Sequence, residues 1–420
     1  MKPNKYYKKP GQISYRLARI ASFVLRKRWF HTKVVRNEVR KAKGAFVLIA
    51  NHQCALDFVN LIGLTSRRMT FVLSDAFYQT LPIPHVLNAM HPIHKQQFAT
   101  TPSDLRKMKE VIHQNQGLVI FPAGLMSEDG LSTPIPQSTY DFLKWLGADV
   151  YVARSEGGYF VMPKWSKKVR PGKTYMDAFQ LFSKEELAEA TAEEVKRRTD
   201  EALLFDAYRD QAAHPVLYHG GEDIDGLENV LYRCPGCGTE FSISCREKRK
   251  LVCSSCGFTA NSDAYGILHD NKGRTLYPSD WSREIFRFVK EKLRLHPEEA
   301  LCTPATVCLV DKKHHKFAEA GKVQLTLDRM AFTLDGILHG TPFHQSVSLA
   351  SLPMLPFSPG RYIEIQSGST TYRCFPEDGR MAQKFINYVK AFFEMRFPEK
   401  ATSADPVPAS TVASIAAVNQ

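Results

Sequence analysis

The sequence predicts a chain of three folded parts: an α/β domain, a small cysteine-rich ribbon, and a small β-barrel with a capping helix. Residues 32–215 alternate short apolar strands with helical stretches, which is the pattern of an α/β layer. Two Cys-x2-Cys pairs follow within residues 230–265. Residues 303–376 then form short alternating segments separated by Gly, Pro and Asp turns, a pattern typical of a small barrel.

Length and composition agree with several globular parts. A chain of 420 residues exceeds what one hydrophobic core usually supports, and 44% apolar with 11% aromatic residues is enough for folded cores. We expect a basic amphipathic helix at 1–30, the α/β domain at 31–215, the ribbon at 230–265, the barrel module at 300–397, and a disordered tail rich in Ala, Ser, Thr and Pro at 398–420.

Helix signals are clear at two places in the α/β domain. Residues 102–114 begin with proline, and Gly117 follows their end. Ser183 precedes Glu186 by three residues, a capping-box arrangement that predicts one long helix over 183–208, closing the domain. The predicted strands are residues 33–35, 46–50, 69–73, 118–121 and 150–152.

The carboxyl-terminal half is expected to contain a linking helix at 281–295 and an amphipathic helix at 381–395. Strands are predicted between them, among others at 322–328, 330–334 and 362–366. This order of short strands and one helix resembles a pleckstrin-homology or GRAM-like module. Such a module would suit docking to lipid or to protein, and the fold alone does not decide between them.

The charge of the chain is concentrated at its amino terminus. Residues 1–43 contain fourteen Lys or Arg against the single Glu38, a surplus that equals the net charge of +13. The remainder is balanced. A basic arm beside neutral domains attracts phosphates locally, whereas a nucleic-acid-binding domain would carry its charge along a whole face. Nucleic acid is therefore not an expected partner.

An apolar stripe runs along the basic amino-terminal segment. Ile13, Leu17, Ile20 and Val24 recur at steps of three and four residues, flanked by arginines. Such a helix can lie flat on an anionic membrane surface. The stripe can equally pack on the protein's own core while the basic residues are solvated, and the pattern leaves both interpretations open.

The sequence predicts a reducing location. No apolar run reaches the ~18–20 residues of a transmembrane helix. Arginines and lysines also interrupt the only candidate for a secretory signal. We expect a cytoplasmic protein, peripheral on the inner face of a membrane, whose nine cysteines are thiols or metal ligands rather than disulfides.

Four cysteines have the spacing of a metal site. Cys234 and Cys237 form one Cys-x2-Cys pair, Cys253 and Cys256 form another, and fifteen residues separate the pairs. A glycine follows each pair, as in zinc knuckles. Four thiolates close the coordination shell, so a structural zinc is predicted. Cys245, between the pairs, receives no role, and the few basic residues of the ribbon favour a solvated hairpin tip over a nucleic-acid contact.

The run from Ile49 to Asp57 brings a histidine and a carboxylate to one turn. An imidazole titrates near neutral pH, and a carboxylate on its other nitrogen fixes the tautomer, which is the make-up of a general base. Five residues at 100° each leave the two side chains on different faces of a regular helix. His52 must then lie in the turn before the helix and Asp57 within it. The alternative is a hydrogen-bonded histidine at a strand end and an aspartate near a helix start.

Four blocks follow one another along the chain: Asn51-His52 with Asp57; Pro92-Ile93-His94-Lys95; Phe121-Pro122-Ala123-Gly124-Leu125-Met126-Ser127; and Gly157-Gly158-Tyr159 with Pro163-Lys164-Trp165. In this order they resemble the motif blocks of glycerolipid acyltransferases of the lysophosphatidic-acid type, over roughly residues 30–212. The resemblance implies transfer of a fatty acyl group from coenzyme A or acyl carrier protein to a lysolipid hydroxyl. His52 would deprotonate the acceptor and Asp57 would orient His52, without a covalent enzyme intermediate.

The third block departs from the family pattern Phe-Pro-Glu-Gly-Thr-Arg. Ala123 and Met126 stand where the family has a carboxylate and an arginine, and Lys95 offers a point charge where an arginine fork is common. The resemblance places these three residues, with Pro122 and Gly124, at the acceptor. A different acceptor head or weak catalysis fits the changes. A non-catalytic lipid-binding adaptor and, less well, a nucleic-acid-binding zinc-ribbon regulator are the alternatives.

Overall fold

The computed structural model describes residues 7–74, 78, 90–96, 100–311, 316–352 and 354–397. The predicted disordered tail, 398–420, lies outside them. The described residues form two compact units. The first unit takes in those of Met1–Pro163 and Lys168–His219, and the second those of Lys164–Lys167 and Gly220–Thr402.

The first unit is built on a mixed sheet of seven strands, in the order β1-β7-β6-β2-β5-β3-β4. Strands β2 to β6 are parallel wherever they pair, whereas β7 runs antiparallel to β6 and parallel to β1. The predicted α/β layer is confirmed, and β4 and β7 are additions to the predicted strands. The strands are β1 Lys33–Asn37, β2 Phe46–Ala50, β3 Met69–Ser74, β4 Ile93–Lys95, β5 Gly117–Ile120, β6 Asp149–Glu156 and β7 Tyr175–Phe182.

Helices cover both faces of this sheet. Every residue of β2 is buried, as expected for a central parallel strand. Val47 and Ile49 enter one core with residues of α3, α4 and α7, while Phe46 and Leu48 enter another with residues of α1 and α2. The helices are α1 Gln12–Leu25, α2 Asp57–Ile62, α3 Pro102–His113, α4 Gln137–Leu146, α5 Gly158–Val161, α6 Lys184–Glu189, α7 Ala192–Leu203 and α8 Ala207–Ala213.

The prediction of one long helix over 183–208 is wrong. Its capping box is present, since Ser183 and Glu186 exchange hydrogen bonds, but the segment divides into α6, α7 and the start of α8. Thr191 accepts a hydrogen bond from the backbone of the third residue of α7, and Asp206 caps α8 in the same manner. These side chains satisfy the free amides of new helix starts, so three short helices compete successfully with one long helix.

The apolar stripe of α1 does not pack on the core. Ile13, Leu17, Ile20 and Val24 are 77%, 59%, 62% and 54% exposed. The opposite face holds the helix to the unit, because the buried Tyr15 hydroxyl accepts a hydrogen bond from the backbone of Met69 at 3.1 Å. Of the two interpretations of the stripe, packing on the protein's own core is therefore wrong. Among the described helices, none is long and apolar enough to cross a membrane.

The second unit begins with the cysteine-rich segment. It forms an antiparallel sheet in the order β12-β11-β10-β9-β8, and the helix α9, Pro278–Leu295, follows it. The strands are β8 Ile243–Arg246, β9 Lys250–Cys253, β10 Thr259–Ser262, β11 Leu268–Asp270 and β12 Thr275–Leu276.

A second antiparallel sheet, with seven strands in the order β16-β15-β14-β13-β19-β18-β17, packs with the helix α10, Met381–Arg396, around one core. Strands β13 and β14 have 11 and 12 residues, longer than the short segments expected. No pairing between described residues joins β16 to β17, so closure into a barrel stays a prediction. The strands are β13 Leu301–Asp311, β14 Lys316–Leu327, β15 Ala331–Leu338, β16 Thr341–Ser348, β17 Phe357–Ser358, β18 Tyr362–Ser367 and β19 Thr370–Pro376.

Candidate functional site

The carboxyl ends of β2, β5 and β6 meet at one edge of the first unit's sheet. These strands pair in parallel, so the residues that follow β2 and β5, His52 and Phe121, come to the edge of the sheet at which β6 also ends. Ligands of open α/β sheets bind at this edge. As the spacing predicts, His52 lies in the turn before α2, and Asp57 is the first residue of that helix.

His52 and Asp57 form a hydrogen-bonded pair. The imidazole Nδ1 and the carboxylate Oδ2 are 2.9 Å apart. An ionised carboxylate only accepts hydrogen bonds, so Nδ1 carries the proton and Nε2 has a lone pair. Among the described residues nothing donates or accepts a hydrogen bond at Nε2. The histidine side chain is 19% exposed and the aspartate 4%, which leaves one nitrogen of a held imidazole within reach of a substrate.

Asp57 is itself held by the turn. Its Oδ2 accepts hydrogen bonds from the backbone of Gln53 at 2.7 Å and of Cys54 at 3.0 Å. The Cys54 thiol donates to Oδ1 at 3.3 Å. Burial, then the negative charge of Asp57, raises the pKa of the Cys54 thiol well above its usual value. The thiol is therefore neutral and a poor nucleophile.

The third block holds the histidine from two sides. The ring of Phe121 stacks on the imidazole, with centroids 4.2 Å apart and planes 21° apart. The backbone N–H of Ser127 donates to the His52 carbonyl at 3.0 Å. The resemblance includes both residues in the third block and gives neither a role. A β-strand end followed by a tight turn was the only local signal.

The predicted acceptor residues of the third block form an apolar turn. Gly124 has a φ of 71°, and its N–H donates to the carbonyl of Phe121 at 3.0 Å. Pro122 is buried, Ala123 packs against the core and Met126 is half-buried. None of these side chains can pair with a phosphate.

Lys95 lies at the same edge of the sheet but three strands away from β2, at the end of β4. Its ammonium donates to the carbonyl of Gln96 at 3.3 Å. Burial lowers the pKa of Lys95, against an opposing effect of Asp104. The structure does not bring Lys95 into contact with His52, and its role at the acceptor stays a prediction.

A buried charge cluster near the end of β6 was missed by sequence reasoning. Arg154 and Glu156 approach to 3.4 Å, and Asp210 of α8 faces both of them. The Nε and Nη2 atoms of Arg154 and the Oδ2 atom of Asp210 are buried without a hydrogen-bond partner among the described residues. Burial, and then the negative charges of Glu156 and Asp206, raise the pKa of Asp210 to about 7, although Arg154 opposes them.

This cluster predicts that stability falls with rising pH. The folded state binds the Asp210 proton more tightly than the unfolded state, whose pKa is near 4, so stability is lost between about pH 4 and 7. Asp210→Asn should remove this loss. The free energy of unfolding of the variant, relative to that of the wild type, should therefore rise by about 1–3 kcal/mol from pH 5 to pH 8. Urea unfolding at the two pH values measures it. Equal pH dependence in both proteins would contradict the assignment.

The four predicted cysteines come together in the second unit. Their sulfur atoms all lie within 4.8 Å of one another. Cys234 and Cys256 sulfurs are 3.8 Å apart, as are those of Cys237 and Cys253. Sulfurs placed tetrahedrally at about 2.3 Å from a zinc ion would be about 3.8 Å apart, so these residues fit a metal. Cys245 is not part of the cluster.

The knuckle geometry also agrees with metal binding. The glycines that follow the pairs, Gly238 and Gly257, have φ values of 76° and 73°, a conformation that other residues seldom adopt. The backbone N–H of Gly236 points to the sulfur of Cys234 at 3.4 Å. Such donors stabilise thiolate charge, which a metal site requires.

Residues 31–165 match the Acyltransferase family model. The match includes His52, Asp57, the third block and the turn that begins α5. The acyltransferase resemblance is thereby supported for the first unit, while the ribbon and the carboxyl-terminal sheet lie outside the match.

Two solved structures show some similarity. The 1-acyl-sn-glycerophosphate acyltransferase PlsC from Thermotoga maritima is 18% identical, with a TM-score of 0.38 over 46% of this chain and 76% of that chain. The Ran-binding domain of a nuclear complex component from Ashbya gossypii is 14% identical, with a TM-score of 0.20 over 23% of this chain and 97% of that chain. Among curated proteins, no sequence matches this chain significantly.

Proposed function

We propose that this protein transfers a fatty acyl group from an acyl thioester, carried by coenzyme A or acyl carrier protein, to the hydroxyl of a lysophospholipid. The observation that carries the proposal is His52, whose Nδ1 is held by Asp57 while Nε2 remains open to a substrate at the edge of the sheet. The family match over residues 31–165 supports the same reaction class.

The geometry suits general-base catalysis. Nε2 of His52 would take the proton of the acceptor hydroxyl while that oxygen attacks the thioester carbonyl. Asp57 would stabilise the imidazolium through Nδ1. Collapse of the tetrahedral intermediate breaks the carbon–sulfur bond, and the departing thiolate takes the proton back from Nε2. No enzyme nucleophile is required, in line with the buried and neutral Cys54.

The proposal is tested with the purified protein, an acyl thioester and a panel of lysolipids, with products read by mass spectrometry. Acylated product in a time- and enzyme-dependent amount is the expected result. A folded protein that binds lysolipid vesicles without forming product would favour the lipid-binding adaptor instead. Salt-sensitive binding to duplex DNA and not to vesicles would favour the nucleic-acid-binding alternative.

The acceptor is proposed to have a head group larger or less anionic than a bare phosphomonoester. Ala123 and Met126 supply apolar surface where a phosphate would need charged donors. Lys95, at the end of β4, is the cation that the resemblance assigns to the acceptor, and its single ammonium cannot bind a phosphate in the bidentate manner of an arginine.

Restoring the family pattern should change the acceptor preference. Ala123→Glu with Met126→Arg is expected to move preference toward lysophosphatidic acid by about tenfold or more, since a buried charge-assisted pair can then hold phosphate. Competition between two lysolipids in one reaction measures the ratio. Met126→Arg alone serves as the matched control and should mainly destabilise the site with an unpaired charge. A wild type that already prefers lysophosphatidic acid by a wide margin would contradict this view of the third block.

We further propose that the protein is cytoplasmic and peripheral on an anionic membrane face, bound through α1. The exposed stripe is flanked by Arg16, Arg19 and Lys27, and no acidic residue precedes Glu38. Apolar insertion and attraction to anionic lipid head groups would therefore act on one surface.

Point substitutions in the stripe test this contact without disturbing the buried face of α1. Leu17→Ser with Ile20→Ser should weaken binding to anionic vesicles by tenfold or more, since each exposed side chain contributes about 1–2 kcal/mol when it enters lipid. Salt should weaken wild-type binding in the same direction. Vesicle sedimentation measures both effects. Ile337→Ser is the matched control, because Ile337 is 58% exposed on the second unit. Equal losses in both variants would argue against α1 as the contact.

For the four-cysteine cluster we propose one structural zinc ion. All four positions of a tetrahedral ion would be filled by sulfur, so the metal would stabilise the ribbon and take no part in acyl transfer.

A further inference from the structure

The turn at the start of α5 packs against the Asp57 side of the His52–Asp57 pair. Gly158 lies against the pair so closely that a Cβ atom added to it would be 3.2 Å from Asp57 Oδ1 and 3.2 Å from Gln53 Oε1. The backbone itself therefore limits how far the Asp57 carboxylate can move away from His52.

Gln53 connects this turn to the pair. Its side chain is fully buried, and its Oε1 accepts a hydrogen bond from the backbone N–H of Tyr159 at 3.1 Å. Its own backbone N–H donates to Asp57 Oδ2 at 2.7 Å. One residue thus joins the turn of α5 to the carboxylate that holds His52.

Tyr218 packs against the turn at the start of α5 and restricts its position. This tyrosine lies beyond the family match at residues 31–165. The Tyr218 ring fills a slot between two glycines. A Cβ on Gly157 would be 2.4 Å from the Tyr218 hydroxyl, and a Cβ on Gly172 would be 2.2 Å from its ring. The ring stacks on Phe160 with centroids 5.4 Å apart.

The Tyr218 side chain is held in one position by burial and by a hydrogen bond. Its hydroxyl donates to the carbonyl of Lys173 at 3.1 Å, and the side chain is almost fully buried. Since larger side chains at Gly157 or Gly172 would occupy the place of the ring, the two glycines and the tyrosine fit one another.

We infer that Tyr218 and Gly158 are positioning residues for the His52–Asp57 pair. Tyr218 fixes the position of the Gly157–Phe160 turn. Through Gly158 and Gln53, which contact Asp57, this turn limits the movement of the Asp57 carboxylate. The catalytic consequence rests on the proposed acyl transfer, whereas the effect on the pair itself does not. A displacement of 1 Å at a reacting group can cost about 10²-fold in rate, so a few tenths of an ångström should be measurable.

Gly158→Ala is the sharpest test. The backbone at Gly158 has an ordinary conformation, and the added methyl group meets only Asp57 and Gln53 within 3.4 Å. Gly44→Ala is the matched control, because a Cβ there meets nothing within 4 Å. Tyr218→Ala removes the ring that lies between Gly157 and Gly172. Tyr218→Phe keeps the ring but loses the hydrogen bond to the Lys173 carbonyl. Each variant is compared with the wild type by steady-state kinetics, thermal unfolding and 15N NMR of the His52 imidazole.

Gly158→Ala and Tyr218→Ala should lower kcat by about 10–100-fold with little change in KM, and should shift the His52 15N resonances. Gly44→Ala and Tyr218→Phe should resemble the wild type. Wild-type His52 resonances in folded Gly158→Ala would overturn the inference, as would a Tyr218→Ala protein altered in Tm alone. If the wild type transfers no acyl group, the proposed function fails, and the NMR comparison still decides whether these residues position the pair.

Discussion

Replacing His52 with alanine should lower acyl transfer by roughly 10²–10⁴-fold, the range expected for loss of a general base. Without Nε2, the acceptor hydroxyl must attack with its proton in place or lose it to water. Asp57→Asn should lose a comparable amount, because an amide can donate to Nδ1 and so stabilise the tautomer that carries the proton on Nε2. Initial rates at saturating thioester and acceptor measure both effects.

Controls must show that the lower rate of acyl transfer comes from a lost catalytic group and not from unfolding. His52→Ala removes a side chain that is partly exposed and stacked on Phe121, so the thermal unfolding temperature should change little. His113→Ala, a change of the same kind at an exposed position of α3, should retain full activity. Wild-type rates in folded His52→Ala would exclude the mechanism.

The local arrangement of His52 and Asp57 was predictable from the sequence. The long-range contacts that hold this pair in place were not. His52 and Asp57 are five residues apart, and a buried strand followed by a turn and a helix start determines their separation. The contact of Gln53 with Tyr159 spans 106 residues, and that of Tyr218 with Gly157 spans the α5–α8 region. Such contacts depend on which strands become neighbours in the sheet, and a periodic pattern does not specify this.

Amphipathic patterns have a related limit. The stripe of α1 shows which residues share a face, but apolar side chains have the same spacing whether they meet a core, a lipid or a partner. Burial of Tyr15, which interrupts the simple pattern, shows which face packs. In the same way, the composition around Thr191 favours helix throughout, and the helix ends there because a capping side chain competes with helix continuation.

Removal of the metal should unfold the ribbon. The core beneath it is small, and two of its buried members, Cys234 and Cys253, are themselves proposed ligands. A structural zinc contributes about 10–16 kcal/mol to the folding of small zinc domains, far more than the remaining apolar contacts of such a segment can replace.

The loss should reach beyond the four cysteines, because the first knuckle also contacts α9 and α10. Trp281 of α9 donates to the carbonyl of Arg233 at 2.8 Å. Lys384 of α10 pairs with Glu240 at 2.6 Å, and Arg380 donates to the carbonyl of Phe241 at 2.5 Å. A knuckle that unfolds must release these bonds and expose the indole of Trp281.

The wild type should therefore contain one zinc ion per chain by elemental analysis, and Cys237→Ser or a strong chelator should remove it. Trp281 would then become solvent-exposed, so the tryptophan emission should shift to the red, and hydrogen exchange should rise in β8, β9 and the first turns of α10. Cys245→Ser is the matched control, since Cys245 lies between the knuckles and outside the cluster, and it should keep its zinc. Acyl transfer should fall less than in His52→Ala, because the ion would touch no reacting atom. A metal-free chain with native exchange rates in the ribbon would contradict the zinc assignment, and the four sulfurs would then be thiols that pack without an ion.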